Sequence, residues 1–440
     1  NTKYDQPCLR SILSPILYTC MEQSNLSERL DDTATAKIPS QLLSGPLVLF
    51  GCCGGWCPDT LSGKCHAMDV LAEATRLKGE GKHVVSLAVG QPAHPAPKPA
   101  LEAAKKALEA GRIGYTDALG TAGLRKAIAG HYQSRHGVSV DPGRIAVTNG
   151  SSAGFNLTFL QFFVPGETVA ISRPGYPAYR NILAALGLNV AEIPVGAETH
   201  YVLTPAAIEA WERDNGTKVD GVMVASPANP TGTVTSKVDL KALADWCEAR
   251  DAVFISDEIY HGLTFSGEET TALEVSDRAI VINSFSKYFC MTGWRVGWMV
   301  LPEDLVRPVE CLSQSLYISA PELSQIAAEA AFDGIAEMEE VKAGYAKNRE
   351  LLARRLPELG LPLAAPMDGA FYALCDVSRF TNDSMSFAKR MLRETFVAAT
   401  PGRDFDPVEG HRLIRFSYAG SYAEMETALA RMEAWLPDQG

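Results

Sequence analysis

Residues 283–298 read NSFSKYFCMTGWRVGW, and Lys287 is the single lysine among them. Ser284 and Ser286 stand just before it, and Arg295 follows eight residues later. The preceding run, AIVINSF, is apolar and β-branched, so the lysine falls where a buried strand ends. A lysine there is either a solvated strand end or a reactive amine held in a pocket. Other apolar runs also close on polar groups. RIAVTN leads to Gly150, Ser151 and Ser152, GVMVASPANPTG carries Asn229, and AVFISDEIYHG ends in Asp257, Glu258 and Tyr260. A Gly-Ser-Ser turn opening a helix offers free N–H groups, two hydroxyls and the positive dipole end. That set suits a phosphate, although serine serves there more commonly as a cap. Asn229-Pro230-Thr231-Gly232 is by itself a turn. A strand closing on Asp-Glu also resembles the magnesium strand of a P-loop ATPase. The required G-x-x-x-x-G-K-[ST] loop is missing, because CPDTLSGKC has proline at the first glycine position.

Such groups act together only if a scaffold brings the strand ends to one edge. From His66 the pattern is regular. AMDVLAEATRLKGEG is an amphipathic helix with Met68, Leu71, Ala74 and Leu77 on one side, and VVSLAVGQP is a short strand entering a Gly-Pro loop. After residue 143 strands alternate with helices expected over 152–163, 176–187 and 236–250. Near-continuous apolar strands between helices predict an α/β fold, a mostly parallel central sheet with helices on both faces. In such sheets ligands bind beyond the carboxyl ends of the strands. After residue 302 a helical pattern runs to 356. The strands AFYALCDV and RLIRFSYA follow, with helices over 384–395 and 421–436, which predicts a smaller α+β domain. The expected division is an extension over 1–65, a segment over 66–113 joining the small domain, a large domain over 114–320 and a small C-terminal domain over 321–440.

With 440 residues, 46% apolar and 21% charged, the chain reads as a soluble globular protein of more than one domain. A net charge of −12 argues against a nucleic-acid binder working through a basic surface. No uncharged apolar run reaches membrane-spanning length, so no membrane partner is expected. Cys8, Cys20, Cys52, Cys53, Cys57 and Cys65 fall in the first 65 residues, and only Cys247, Cys290, Cys311 and Cys375 lie beyond. The body therefore reads as a reduced, cytoplasmic protein. CCGGWCPDTLSGKC fits no standard zinc spacing, and no metal site is expected. The cysteine-rich extension has no role legible in its residues.

A phosphate turn, an asparagine, an aspartate with a tyrosine, a lysine between serines and an arginine form the set that pyridoxal 5'-phosphate demands. Its aldehyde needs a lysine for a Schiff base, and its pyridine nitrogen needs a carboxylate to stay protonated. Its phenolate oxygen needs hydrogen-bond donors, and its phosphate needs hydroxyls, amides and a cation.

The ordered motifs GSS, NPTG, SDEIY, SFSKYFCMTGWRVG and IRFSYA resemble the class I/II aminotransferases, fold-type I pyridoxal-phosphate enzymes, over about residues 66–440. The resemblance implies that Lys287 forms the Schiff base and acts as general base, and that Asp257 pairs with the pyridinium nitrogen. It implies that Asn229 and Tyr260 bond the phenolate oxygen. Ser151, Ser152, Ser284 and Arg295 would hold the phosphate, Tyr176 would stack on the ring, and Ser286 would pack behind. Arg415 would grip the substrate carboxylate, which the Gly90 loop also approaches. Tyr115 matches a tyrosine that the family sends into a neighbouring subunit's phosphate site, which implies a homodimer. The implied activity moves an amino group between an amino acid and a 2-oxo acid by a ping-pong mechanism. A neutral donor is expected, since TNGSSAGF lacks the cation that some aspartate-specific relatives carry. Cys290 stands where the family usually has a smaller residue and reads as packing. A carbon–sulfur β-lyase shares most of these motifs, and release of pyruvate and ammonia from cystathionine would distinguish it. A ligand-sensing regulator with an aminotransferase-like body would need a helix-turn-helix domain, and residues 1–65 show no recognisable helix pair.

Overall fold

The structure, a computed structural model, describes residues 66–439, and the expectations for the 1–65 extension lie outside them. In chain order the strands are β1 (Val85–Ser86), β2 (Ile145–Thr148), β3 (Thr168–Arg173), β4 (Asn189–Pro194), β5 (Gly221–Ala225) and β6 (Val253–Asp257). They continue with β7 (Ile280–Ser284), β8 (Gly297–Val300), β9 (Tyr372–Asp376), β10 (Val397–Ala398), β11 (Thr400–Pro401) and β12 (Leu413–Ser417). Strands β2 to β8 make one seven-stranded sheet in the order β2-β8-β7-β6-β5-β3-β4. Every neighbouring pair is parallel except the two formed by β8. The expected α/β architecture is thus present, and its one reversed strand matters for the site.

The continuous apolar runs are explained by burial on both faces. Val222, Val224, Val281, Trp298 and Val300 belong to one hydrophobic cluster, while Met223, Ile255, Ile282 and Met299 belong to another. Successive strand residues point to opposite faces, so an apolar residue is needed at every position. The helix Ser151–Phe162 covers the second face and is buried along most of its length. Its N-cap is Gly150 at φ +77°, a left-handed value that favours glycine.

Helices fall within two residues of the expected ends, at Pro177–Ala185, Lys237–Ala249, Ser384–Thr395 and Tyr422–Trp435. The long helical pattern after 302 is three helices, Glu303–Leu316, Glu322–Ala331 and Ile335–Glu358. Ile318 at φ +64° and Pro321 break the first junction, and a 3₁₀ turn at Phe332–Gly334 breaks the second. Beyond them β11, β12 and β9 form an antiparallel sheet, and β1 pairs with β10. None of the described helices is long and apolar enough to cross a membrane.

Candidate active site

The parallel strands β2, β5, β6 and β7 end at the same edge of the sheet. Because β8 runs the other way, its start lies at that edge too, with Gly297 paired to both Thr148 and Ser284. This reversal carries Arg295, two residues before β8, to the turn at Gly150. A Cβ on Gly150 would come within 2.5 Å of Arg295 Nη2, so only glycine lets the guanidinium approach so closely. No side chain caps the helix that starts at Ser151, so its first N–H groups and the guanidinium converge as an anion site. Ser151 is buried and Ser152 exposed. Ser284 is buried, with Oγ 3.1 Å from the Val296 carbonyl and 2.9 Å from Ser286 Oγ.

Lys287 follows β7, and its Nζ donates to the Gly90 carbonyl at 2.5 Å. Its amine lies 5.7 Å from the Tyr260 ring centroid and 5.9 Å from that of Phe371. Burial lowers its pKa to about 8, Arg415 and Arg295 push the same way, and Asp257 opposes them. Asp257 ends β6 and is 2% exposed. It accepts from the Tyr179 hydroxyl and from the Ile259 amide. Burial raises it to about 6, against the lowering effect of these two donors and of Lys287.

Arg415, in the middle of β12, is 5% exposed. Nη1 donates to Asn229 Oδ1 at 2.7 Å, and Nη2 donates to the Ala88 carbonyl at 2.8 Å and to Thr400 Oγ1 at 3.3 Å. The guanidinium is sandwiched between Tyr372 and Phe405, 4.1 and 4.6 Å from their ring centroids. Its Nε has no partner. Because Asn229 Oδ1 is taken by Arg415, the Asn229 amide is left to donate elsewhere. Tyr260 shares a 2.6 Å hydrogen bond with the Tyr372 hydroxyl, and burial pushes its pKa well up, so it stays a protonated donor. A Cβ on Gly90 would fall 1.8 Å from Tyr372 Oη, which fixes glycine in that loop.

The structure thus brings together Lys287, Asp257, Asn229, Tyr260, Arg415 and Gly90, with the Gly150–Arg295 anion site at the same sheet edge. Tyr176 caps the next helix and packs edge-on against Tyr179, centroids 5.3 Å apart. Tyr115 is 83% exposed and is not drawn into the set within one chain. Cys290 is buried at φ +55° and lines a cavity of about 790 Å³ beside Arg295, with Gln91, His94 and Trp294.

Tyr179, Tyr372, Phe405 and Thr400 were not singled out from sequence. Tyr179 stands three residues after Tyr176, one helical turn on, so the spacing placed both on one side. Tyr372 lies opposite Ser417 in the β9–β12 register, a long-range pairing that no local pattern announces.

This donor set fits pyridoxal phosphate. A buried carboxylate holds only two hydrogen bonds, a buried amine lies nearby, and an uncapped helix start abuts a guanidinium. The Tyr179 donor is testable. Tyr179→Phe leaves Asp257 with the Ile259 amide alone, so its pKa rises further and less of it is ionised at neutral pH. Cofactor retention should weaken by roughly fivefold, the worth of one buried hydrogen bond, and the acid limb of kcat should move to higher pH. A limb that stays in place removes Tyr179 from this role.

Residues 82–432 match the family model described as aminotransferase class I and II. The chain is 48% identical over 379 residues to a valine–pyruvate aminotransferase of Mycobacterium tuberculosis, covering 85% of this chain and 96% of that one. An aminotransferase crystal structure from the same organism superposes with a TM-score of 0.82 at 46% identity, covering 86% and 98% of the two chains. The aspartate aminotransferase of Thermus thermophilus with maleate superposes at 0.78, with 31% identity over 85% and 97%. The chain belongs to the class I and II aminotransferases.

Proposed function

We propose that this pyridoxal-phosphate-dependent aminotransferase takes the amino group of a neutral aliphatic amino acid, with valine as donor and pyruvate as acceptor. The observation that carries the reading is Arg415, a buried guanidinium with no carboxylate partner among the described residues and an unpartnered Nε. A buried cation of this kind calls for an anion, and the α-carboxylate of an amino acid supplies it. The charged groups acting on Lys287 are Arg415, Asp257 and Arg295, and each has a role in binding carboxylate, ring or phosphate. Among the described residues, that leaves no further cation acting on Lys287 to meet a second carboxylate. The resemblance to a valine–pyruvate enzyme points the same way.

Arg415 and the Gly90 loop hold the substrate by its carboxylate, so Cα lies beside Lys287. When bound, pyridoxal phosphate supplies an aldehyde for the amino group and a protonated ring that accepts electron density from Cα. Asp257, ionised above about pH 6, keeps a proton on the ring nitrogen by its charge. Tyr260 and the Asn229 amide donate to the phenolate oxygen. Once released, Lys287 Nζ takes the Cα proton. With its pKa near 8, about a tenth of the amine is neutral at pH 7, against well under a hundredth for an ordinary lysine. The same ammonium returns the proton on the other side of the transfer. Ser151, Ser152, Ser284, the helix start and Arg295 anchor the phosphate, and Tyr176 covers the ring.

A donor panel tests the substrate. With pyruvate as acceptor, kcat/KM for valine should exceed that for aspartate by about a hundredfold or more, because burying an unpaired side-chain carboxylate costs several kcal/mol. Aspartate above valine, alanine and phenylalanine would refute the neutral-donor reading. Release of pyruvate and ammonia from cystathionine without an acceptor would favour a β-lyase.

A homodimer accounts for Tyr115, whose ring is almost wholly solvated in one chain. Sedimentation should give a dimer, and Tyr115→Phe should weaken cofactor binding several-fold without dissociating it. A monomer with full activity would exclude shared sites. We infer a large domain over 114–320 and a small one over 321–440, and the β1–β10 pair supports joining 66–113 to the small one. The free thiols Cys247, Cys290 and Cys375, all buried, suit a reducing cytoplasm.

A further inference from the structure

Strand β6 sends Asp257 towards the catalytic edge. The next residue, Glu258, turns away from it and accepts from Ser256 Oγ, Thr271 Oγ1 and the Ala272 amide. On that far side lies a group of side chains that amino transfer does not use. His136 ends the helix Ala122–His136, His261 sits in the turn after β6, and Glu269 lies in the following loop. One ligand atom from each lies within 4.8 Å of the other two. Both imidazoles have side chains only 3% exposed, and their ring centroids are 5.3 Å apart.

Neither ring nitrogen of His261 makes a hydrogen bond of full geometry, although the Ser226 backbone lies close by. Buried polar groups in folded proteins are almost always satisfied, so a buried imidazole held this loosely has room for a ligand. Each histidine also has a carboxylate beside Nδ1. Glu258 Oε2 is 3.4 Å from His261 Nδ1, and Glu274 Oε1 is 3.8 Å from His136 Nδ1. A carboxylate that near can accept from Nδ1 once the ring shifts, which would leave the other nitrogen to coordinate. Glu269 is held by Arg135 Nε, the Gly262 amide and Thr264 Oγ1 at 2.7 to 2.8 Å. A carboxylate accepts about four bonds, so Glu269 keeps a lone pair to give.

We propose that His136, His261 and Glu269 bind a divalent transition-metal ion, zinc by the chemistry of its ligands. Two imidazoles and one carboxylate suit zinc, whereas magnesium and calcium prefer oxygen alone. Tetrahedral bonds of about 2.0–2.1 Å place ligand atoms roughly 3.4 Å apart, so the side chains close by an ångström or so on binding. The ion would join the end of the helix Ala122–His136 to the turn that carries Tyr260. Its role is therefore to clamp the turn, with no part in the amino transfer itself.

The test uses the full-length holoenzyme, stripped with a chelator, freed of it, and titrated with Co²⁺ and separately with Zn²⁺. One Co²⁺ per chain should bind with visible bands and no near-ultraviolet thiolate band, Zn²⁺ should displace it, and Zn²⁺ should raise Tm by a few degrees. His261→Gln and, separately, His136→Asn should each lose that equivalent and the Tm rise while keeping the far-ultraviolet dichroism of the parent. His136 ends its helix, so its variant keeps the test open if His261→Gln fails to fold. No uptake by the full-length protein, uptake undiminished in a folded variant, or a thiolate band alone would each overturn the proposal, the last by placing the metal on cysteines.

Discussion

Lys287→Ala is expected to lose transamination almost completely, by about four orders of magnitude or more in kcat, and still to bind pyridoxal phosphate. The two outcomes separate because different residues carry them. On the proposed reading, the anion site of Gly150, Ser151 and Arg295 and the carboxylate of Asp257 would hold the cofactor without Lys287. Among the described residues, the charged groups acting on Lys287 are Arg415, Asp257 and Arg295, and none is a lysine that could take over the proton transfer. Borohydride should fix the cofactor to Lys287 in the parent and to nothing in the variant. Fixation on another lysine of the parent would sink the assignment. In the cofactor-free protein the amine can be probed directly. Its pKa is depressed from 10.5 to about 8, so it is protonated below that pH and neutral above it. Acylation of Lys287 should therefore reach half its maximal rate near pH 8, while ordinary lysines need pH above 10.

The site was legible where chemistry is local to a strand end. Asn229, Asp257 and Lys287 each follow a run of apolar, β-branched residues, and the sheet gathers those ends by its own topology. Arg295 was legible as a residue, but its position was not. Nothing in VGWMVL distinguishes an antiparallel strand from a parallel one when both faces are buried, and the reversal of β8 is what delivers the guanidinium to Gly150. Tyr372 and Phe405, which sandwich Arg415, come from β9 and from the turn after β11. They meet only when the small sheet pairs, so no window of sequence holds both. The proposed ligands His136, His261 and Glu269 escape a sequence reading for the same reason. Metal-ligand spacing is readable when ligands share a helix or hairpin, and these lie on three separate segments. The helical period over 302–356 was right, but it could not register the break at Ile318, whose left-handed backbone is a tertiary demand.

Arg415→Ala should lower kcat/KM for valine by between about thirtyfold and a few thousandfold, the usual cost of removing one partner of a buried charge pair. Five guanidinium N–H donors face three acceptors here, Asn229 Oδ1, the Ala88 carbonyl and Thr400 Oγ1, which leaves two for the substrate carboxylate. Cofactor binding should change little, because the proposed roles put Arg415 at the substrate carboxylate and the phosphate at Gly150. The amine of Lys287 should titrate at a higher pH in the variant, since Arg415 is one of the cations that depress it. Arg415→Lys should recover little of the loss. A lysine keeps the charge, but its single ammonium cannot fill the space between the Tyr372 and Phe405 rings or hold Asn229 and Thr400 together. The decisive control is isobutylamine, which is valine without its carboxylate. If Arg415 acts by gripping that carboxylate, the alanine variant and the parent should convert isobutylamine at similar, slow rates. An equal loss on both donors would show that Arg415 supports the site through Asn229 and its aromatic neighbours, and the substrate carboxylate would then have to be held elsewhere.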